Sequence, residues 1–290
     1  MAEKQNIQWF PGHMTKAIRK IKESLRTVDA VAEIVDARLP QSSRNPDIDR
    51  LIKNKPRIML LNKCDMADPN VTSMWVNYYG AKKIKAIPVD CKTGKGVNRF
   101  LPSVKEIMKP QLEKWQQSGM IGRSIKIMIV GIPNVGKSSF INKLAGKTRA
   151  KAEDRPGVTR GNQWYTIGGN VELLDTPGVL WPKFDDPDVG EKLAFTGAVK
   201  DQILDTELLA VRLIEVFQES PNRFFVERFK LQNEDLSAYT PYEILELAGR
   251  KRGMLISGGE VDSERAANVI LDEYRGGKLG RVSLELPPRG

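Results

Sequence analysis

The chain contains 290 residues, of which 40% are hydrophobic, so it is long enough to form one large domain or two smaller ones. No apolar run approaches the length that spans a bilayer, and the first residues lack the apolar stretch of a secretion signal, so we expect a cytoplasmic protein. The two cysteines, Cys64 and Cys91, have no metal-ligand spacing and are too few for a disulfide framework, which fits a reducing compartment.

The formal net charge of +10 is distributed unevenly along the chain. Residues 1–184 contain 32 lysines and arginines against 16 acidic residues, whereas residues 185–290 contain 14 against 20. A concentrated positive charge favours a polyanionic partner, either nucleic acid or an anionic membrane. The alternative is a solvated lysine-rich surface that binds no specific partner.

The first two thirds of the chain alternate between helix-like and strand-like patterns. Apolar residues at helical spacing between basic residues predict a helix over 14–27, and the polar residues 109–123 predict a helix continuation and a linker. The predicted strands lie within 30–37, 56–65, 84–96, 124–133 and 170–178, and further helices within 71–80, 97–108 and 138–146. This alternation predicts a doubly wound, mostly parallel sheet that is covered by helices on both faces.

The strand pattern fades near residue 185, and amphipathic helical patterns follow. They predict helices over 205–218, 240–253 and 262–277, the second of which begins with the spacing of a capping box. We therefore predict an α/β domain over 1–184 and a small all-helical domain over 185–290.

A phosphate-binding loop is predicted at "GIPNVGKSS", residues 131–139, between a predicted strand and a predicted helix. The sequence matches GxxxxGKS, in which glycines let backbone N–H groups turn toward phosphates. Lys137 adds charge at the β- and γ-phosphates, and the Ser138 hydroxyl can bind magnesium. The alternative is a plain glycine-rich turn. The expected phosphate-binding residues are Pro133, Asn134, Val135, Gly136, Lys137, Ser138, Ser139 and Gly178.

A second motif, "DTPG" at residues 175–178, also ends a predicted strand. Asp175 can hold magnesium through its water shell, and the N–H of Gly178 can sense a γ-phosphate. Alone, these residues could form an ordinary turn. Thr159, between this motif and the phosphate loop, is the expected switch threonine, which binds magnesium only when the γ-phosphate is present. The predicted magnesium ligands are Ser138, Thr159 and Asp175.

Guanine recognition is predicted at "LNKCD", residues 61–65. The carboxylate of Asp65 can accept hydrogen bonds from the N1–H and 2-amino groups of guanine, a donor pair that adenine lacks. Asn62 can brace the loop or bond to the ring, and the Lys63 stem can lie over the base. The alternative is an accidental turn at a strand end.

The motif "DCK", residues 90–92, resembles the Ser-Ala-Lys motif whose backbone N–H meets the guanine carbonyl, with Asp and Cys replacing Ser and Ala. The predicted base-binding residues are Asn62, Lys63, Asp65, Asp90, Cys91 and Lys92.

These motifs stand in an unusual order, because the guanine motifs precede the phosphate loop and the switches. Loops that follow parallel strands gather at one edge of a sheet whatever their order along the chain, so reordering preserves the site. The order therefore predicts a circularly permuted P-loop GTPase whose usual ends are joined through residues 109–123. It also puts the second switch directly before the helical domain, so that switch movement is expected to act on that domain.

The permuted order, together with "IQWFPGHM", "DTPGVLWPKFDD" and "GGKLGRVSLELP", resembles the bacterial ribosome biogenesis GTPase A family over nearly the whole chain. The resemblance implies a GTPase that acts late in assembly of the large ribosomal subunit and is stimulated by that particle. It also implies GTP and GDP as substrate and product, Mg²⁺ as cofactor, precursor large subunits and ribosomal RNA as partners, and an RNA-contacting helical tail.

The residue that orients the attacking water is not in its usual place. Many GTPases carry a glutamine just after the DxxG motif, but this chain has Val179 and then Leu180. The family resemblance points instead to His13, the only histidine of the chain, as the catalytic residue. The alternative for His13 is an ordinary surface or capping histidine.

Asn134 in the phosphate loop matches the asparagine that binds a monovalent cation, K⁺, in similar potassium-stimulated GTPases. Its alternative role is to stabilise the turn.

Three functions are compatible with these motifs. The first is a slow Mg²⁺-dependent GTPase whose turnover times a ribosome-assembly step. The second is an RNA-docking module in which hydrolysis is incidental. The third, a switch on a membrane surface, is disfavoured because no lipidation motif is present and basic attraction alone anchors a protein weakly, so we expect no membrane binding. We also expect a monomer.

Overall fold

The computed structural model describes residues 5, 7, 11–52, 55–146, 163–168 and 170–288. They form two compact units. The sheet unit comprises the described residues of 11–182 together with 283–288, and the helical unit comprises 183–282 together with Gln5 and Ile7. None of the described helices is long and apolar enough to cross a lipid bilayer.

The sheet unit is built on six described strands in the order β3-β2-β1-β4-β6-β5. They are β1 (Ala30–Asp36), β2 (Arg57–Asn62), β3 (Lys85–Pro88), β4 (Ile125–Val130), β5 (Gln163–Ile167) and β6 (Val171–Asp175). All neighbours are parallel except β5, which pairs antiparallel with β6 at one edge. All seven residues of β1 are buried, as expected for a strand covered on both faces. The predicted mostly parallel sheet is confirmed.

Five described helices belong to the sheet unit. They are α1 (Gly12–Ser24), α2 (Pro46–Leu51), α3 (Pro69–Ala81), α4 (Phe100–Gln117) and α5 (Lys137–Ala145). The side chains of Asn45 and Asp68 accept backbone N–H groups at the starts of α2 and α3, and a proline follows each of them. The polar stretch from residue 109 continues α4 to Gln117, as predicted.

Two elements of the sheet unit were not predicted. Strand β5 lies at the edge and three of its five residues are exposed, so it lacks the continuous apolar run that marks a buried strand. Helix α2 has only six residues, too few to show a helical period.

The helical unit contains five described helices, of which three follow the predicted periodicity. They are α6 (Pro187–Phe195), α7 (Thr206–Glu219), α8 (Arg223–Arg228), α9 (Pro241–Lys251) and α10 (Ser263–Arg275). Thr240 and Glu243 form the predicted capping box at the start of α9. The short helices α6 and α8 were not predicted.

The core of the helical unit forms where α10 packs against α7 and α9. The rings of Phe217, Phe225 and Tyr274 lie in contact there. Glu273 of α10 is also buried, and it pairs with Arg228 and Arg252.

Residues 283–288 pack on the sheet unit, whereas the sequence pattern placed them with the helices. The Glu285 carboxylate accepts the backbone N–H of Gln41 and, at 3.0 Å, that of Ser42. The backbone N–H of Leu284 donates to the Arg38 carbonyl at 2.7 Å, and the Trp75 indole N–H donates to the Glu285 carbonyl at 3.2 Å. These polar contacts hold an irregular segment that has no helical or strand periodicity, which is why the pattern did not reveal its position.

The Glu285 contacts predict a measurable contribution to stability. Glu285→Ala is expected to lower the free energy of unfolding of the sheet unit by about 1.5–3 kcal/mol, because two loop N–H groups lose a charged acceptor. Urea unfolding of the full chain can be followed by fluorescence, since Trp75, Trp115, Trp164 and Trp181 all lie in the sheet unit. Leu286→Ala, at a side chain that is 63% exposed, is the matched control and should change little. Equal stability of the two variants would contradict the assigned role of Glu285.

Candidate nucleotide-binding site

The predicted nucleotide motifs meet at the carboxyl edge of the parallel strands. Asp36 pairs in register with Asn62 at the ends of β1 and β2, and Ile129 of β4 pairs with Asp175 at the end of β6. The base motif and the phosphate loop therefore lie on the same edge of the sheet, although 65 residues separate Asp65 from Gly131. This is the crevice in which open α/β sheets bind their ligands.

The phosphate loop has the backbone that its sequence predicts. Asn134 and Gly136 adopt left-handed conformations with φ angles of 58° and 97°, and α5 begins at Lys137. A Cβ atom on Gly136 would lie 2.2 Å from Nδ2 of Asn62, so glycine is required there for packing as well as for conformation. A helix that begins behind such a loop presents free N–H groups to an anion.

Lys137 is buried within this loop, where its Nζ donates a hydrogen bond to the Ile132 carbonyl at 2.7 Å. Burial lowers the pKa of Lys137 to about 8, against the opposing influence of the Asp175 charge. A phosphate group would favour the charged form, so nucleotide binding should raise this pKa again.

The DTPG motif lies directly against the phosphate loop. The Thr176 hydroxyl donates to the Ile129 carbonyl at 2.6 Å, which fixes the motif to β4. A Cβ on Gly178 would lie 2.8 Å from the backbone of Pro133 and 2.9 Å from Nζ of Lys137, so only glycine allows this approach.

The residues present fit a magnesium ion. Asp175 is buried at the strand end and Ser138 lies in the first turn of α5, and Mg²⁺ typically takes one carboxylate, a hydroxyl and phosphate oxygens while it keeps several waters. Thr159 lies outside the described residues.

Asn62 joins the base side of the site to the phosphate side. Its Nδ2 donates to the Val135 carbonyl in the phosphate loop at 2.6 Å. Its Oδ1 accepts the backbone N–H of Cys91, in the second base motif, at 3.1 Å. Of the two roles predicted for Asn62, the structure shows the bracing of loops.

Asp65, in the first base motif, has a buried carboxylate oxygen. Its Oδ1 has no hydrogen-bond partner among the described residues. A buried carboxylate oxygen is costly to leave without a donor, and the N1–H and 2-amino groups of guanine would supply donors. Lys63, two residues earlier, adopts a left-handed conformation with a φ of 60°.

The second base motif is held together by Asp90. Its carboxylate accepts the N–H of Lys92 at 2.8 Å and the hydroxyl of Thr93. The Asp90 side chain therefore shapes this loop. The backbone N–H groups of Cys91 and Lys92 both donate to side chains of the protein, those of Asn62 and Asp90. The neighbouring Cys91 is buried, and burial raises the pKa of its thiol to about 12.

The side chains that follow the DTPG motif cannot orient a water molecule. Val179 and Leu180 are both fully buried. The Val179 carbonyl instead accepts a hydrogen bond from Asn45 at 3.0 Å. His13 is exposed at the start of α1 and makes no hydrogen bond with the described residues.

Two contributors to the site were missed by the sequence analysis. Asn45 both caps α2 and holds the Val179 carbonyl. Asp36, at the end of β1, contacts Lys63. A polar residue at the end of a buried strand was the available signal for Asp36, whereas Asn45 follows no strand.

Comparison with known proteins identifies the family. The chain is 47% identical to ribosome biogenesis GTPase A of Priestia megaterium, over 97% of each chain. It is 35% identical to ribosome biogenesis GTPase A of Thermotoga maritima, over 97% of this chain and 95% of that one. The chain belongs to the ribosome biogenesis GTPase A family. It is therefore a GTP-binding GTPase that acts in ribosome biogenesis.

Structural and family-model comparisons agree with this assignment. A GDP-bound YlqF structure matches with a TM-score of 0.66 and 30% identity, over 93% of this chain and 99% of that one. A GNP-bound YlqF structure from T. maritima matches with a TM-score of 0.63 and 32% identity, over 93% and 98%. The family model described as 50S ribosome-binding GTPase matches residues 126–241. That match begins at the strand before the phosphate loop and leaves out both guanine motifs, as expected from the permuted order.

The unpartnered Asp65 oxygen predicts base specificity. Asp65→Asn should weaken GDP binding by at least about tenfold, because a charge-assisted hydrogen bond worth about 1.5–3 kcal/mol is lost. The same variant should bind xanthosine diphosphate more tightly than wild type does, since the amide can donate to the xanthine oxygen. Titration with both nucleotides provides the measurement, and unchanged GDP affinity would show that Asp65 does not read the base.

The lowered pKa of Lys137 predicts proton uptake on binding. Below about pH 7 the lysine is already charged, whereas above pH 8 it must gain a proton to meet the phosphates, so affinity should fall as pH rises. Calorimetry at pH 8.5 in two buffers of different ionisation enthalpy should detect uptake of roughly half to one proton per GDP. Lys137→Met serves as the control and should bind weakly without this uptake. Equal apparent enthalpies in the two buffers for wild type would contradict the prediction.

Proposed function

We propose that the protein is a Mg²⁺-dependent GTPase that binds precursor large ribosomal subunits and uses GTP hydrolysis to time a late step of their assembly. The observation that carries this proposal is that the guanine and phosphate motifs lie at one edge of the sheet, with the buried apolar side chains of Val179 and Leu180 at the position that usually orients water. Such a site binds GTP but hydrolyses it slowly. A particle that completes the site would then set the rate of turnover.

The ribosomal partner is supported by the names of the matching family model and of a relative, and by the basic charge of α1. The family model that matches this chain is described as a 50S ribosome-binding GTPase, and a relative from Bos taurus, 30% identical, is named mitochondrial ribosome-associated GTPase 1. On this chain, α1 buries Met14, Ala17 and Ile21 and exposes a basic face. The exposed basic residues of that helix are Lys16, Arg19, Lys20 and Lys22. This face suits ribosomal RNA, whose phosphates attract lysine and arginine.

The catalytic water is proposed to be oriented by His13. The imidazole is exposed at the start of the same basic helix, so docking of that helix on RNA would change its surroundings. A neutral imidazole can accept a hydrogen bond from water and align it with the γ-phosphate. Near pH 7 both protonation states of a histidine are accessible.

The proposed metal ions are bound by residues of the same motifs. Ser138, Asp175 and Thr159 are the proposed magnesium ligands, and the ion would neutralise charge on the β- and γ-phosphates. Asn134, which lies in the phosphate loop with a left-handed backbone conformation, is the proposed ligand of K⁺. We further propose a cytoplasmic monomer, consistent with the two cysteines and with the ribosomal partner.

The test of this function is GTP turnover with and without precursor large subunits. We expect strong stimulation by precursors, and weak stimulation by mature small subunits as a particle control. Turnover that the precursor leaves unchanged, while the protein still binds it in the GTP state, would favour the alternative of an RNA-docking module with incidental hydrolysis.

His13→Ala should leave GTP affinity nearly unchanged, because the base and phosphates are held by other residues. It should reduce precursor-stimulated single-turnover hydrolysis by about 10²-fold or more, the scale of one positioned acid–base group. Thr15→Ala, at an exposed residue two positions along α1, is the matched control and should keep the stimulated rate. Normal stimulated hydrolysis by the His13 variant would assign the water to another group.

A further inference from the structure

A buried carboxylate lies beside the guanine motif. Asp36 ends β1, is 2% exposed and stands next to Asn62 in the sheet register. Arg38 donates to both of its oxygens, with Nε–Oδ1 at 3.0 Å and Nη2–Oδ2 at 2.8 Å. The backbone N–H of Arg38 donates to Oδ1 at 3.1 Å. A carboxylate bound by three donors is fixed in position, and its charge is maintained.

Asp36 also forms an ion pair with Lys63. Oδ2 of Asp36 lies 3.1 Å from the Lys63 Nζ, whereas the lysine side chain as a whole remains 21% exposed. Although burial alone would raise it, the pKa of Asp36 is held well below its usual range by Arg38 and Lys63. The lysine is therefore held at its ammonium end, although its side chain as a whole is not fully buried.

We propose that Asp36 is a positioning residue for guanine-nucleotide binding, which anchors the Lys63 ammonium so that the lysine stem forms a wall of the base pocket. The inference rests on the proposed assignment of Lys63 to that pocket. A free lysine side chain loses many rotamers when it is fixed against a ligand. The ion pair with Asp36 already orders the Lys63 side chain in the folded protein, so less side-chain conformational entropy is lost when the nucleotide binds.

This role differs in its consequences from a purely structural one. If Asp36 only braced Arg38 and the loop that follows β1, its loss would weaken binding whatever residue stood at position 63. If Asp36 acts through Lys63, its loss should matter only when the lysine is present. Because the lysine stem contacts the base and not the γ-phosphate, GDP and GTP should be affected equally.

A double-mutant cycle on the full chain tests the inference, with Asp36→Asn, Lys63→Met and the double variant. Affinities for GDP and GTP are measured by titration with fluorescent analogues, and turnover is measured at saturating GTP. We expect about tenfold weaker binding of both nucleotides for each single variant, with kcat unchanged for Asp36→Asn. The double variant should bind within about twofold of Lys63→Met alone.

Two contrary outcomes are distinguishable. Unchanged affinity of Lys63→Met would contradict the assignment of Lys63 to the base pocket, and with it the proposed site. Weaker binding by Lys63→Met together with additive effects in the double variant would overturn only the role of Asp36.

A control for the loss of a buried ion pair is available on the same strand. Glu33 is also 2% exposed and pairs with Arg44 and Arg57, away from the base motif. Glu33→Gln should lower stability but leave GDP affinity unchanged. A matching loss of GDP affinity in this control would mean that destabilisation alone explains the Asp36 effect, which overturns the inference.

A measurement on the wild-type protein covers the case in which Asp36→Asn does not fold. In ¹⁵N-lysine-labelled protein at low temperature, an anchored ammonium gives a resolved, slowly exchanging signal, which Lys63→Met assigns by its disappearance. We expect that signal both with and without GDP. Rapid exchange of the Lys63 ammonium with water in both states would overturn the inference.

Discussion

The amide of Asn62 is the contact on which the rest of the site depends. One of its ends holds the Val135 carbonyl of the phosphate loop, and the other holds the Cys91 N–H of the second base motif. Because hydrogen bonds from one planar group have fixed directions, this side chain sets the separation between the base and phosphate pockets. Gly136 has no Cβ because that position is filled by the same amide. The spacing that a nucleotide requires is therefore built into the protein before the nucleotide binds.

Circular permutation leaves this constraint intact because the strands, and not the order of the chain, bring the loops together. It changes what lies next to the site. The DTPG motif now stands near the end of the sheet unit, which continues into the helical unit at residue 183. The position after it is apolar and buried, so no side chain there can orient the attacking water. In the proposed function, the ribosomal partner would supply the group that this position lacks.

The sequence predicted those features that arise from local pattern. The apolar runs of β1, β2 and β4 predicted the sheet, and the GxxxxGKS pattern predicted a loop between a strand and a helix, which the structure has between β4 and α5. Contacts between distant residues could not be predicted in this way. The position of Glu285 on the loop after β1 depends on hydrogen bonds from Gln41 and Ser42, which leave no periodic trace in the sequence. The same holds for Asn45 and for the pairing of Asp36 with Lys63. Strand β5 escaped prediction because an exposed edge strand carries little apolar signal.

The central claim is that two base motifs and a later phosphate loop form one guanine-nucleotide site around Asn62. A crystal structure of this protein with GDP and magnesium tests the claim most directly. The account predicts that guanine lies within hydrogen-bond distance of the Asp65 carboxylate, that the β-phosphate is bound by the backbone of residues 134–139, and that both Asn62 hydrogen bonds persist. Guanine bound away from Asp65, or an Asn62 side chain released from both loops, would contradict it.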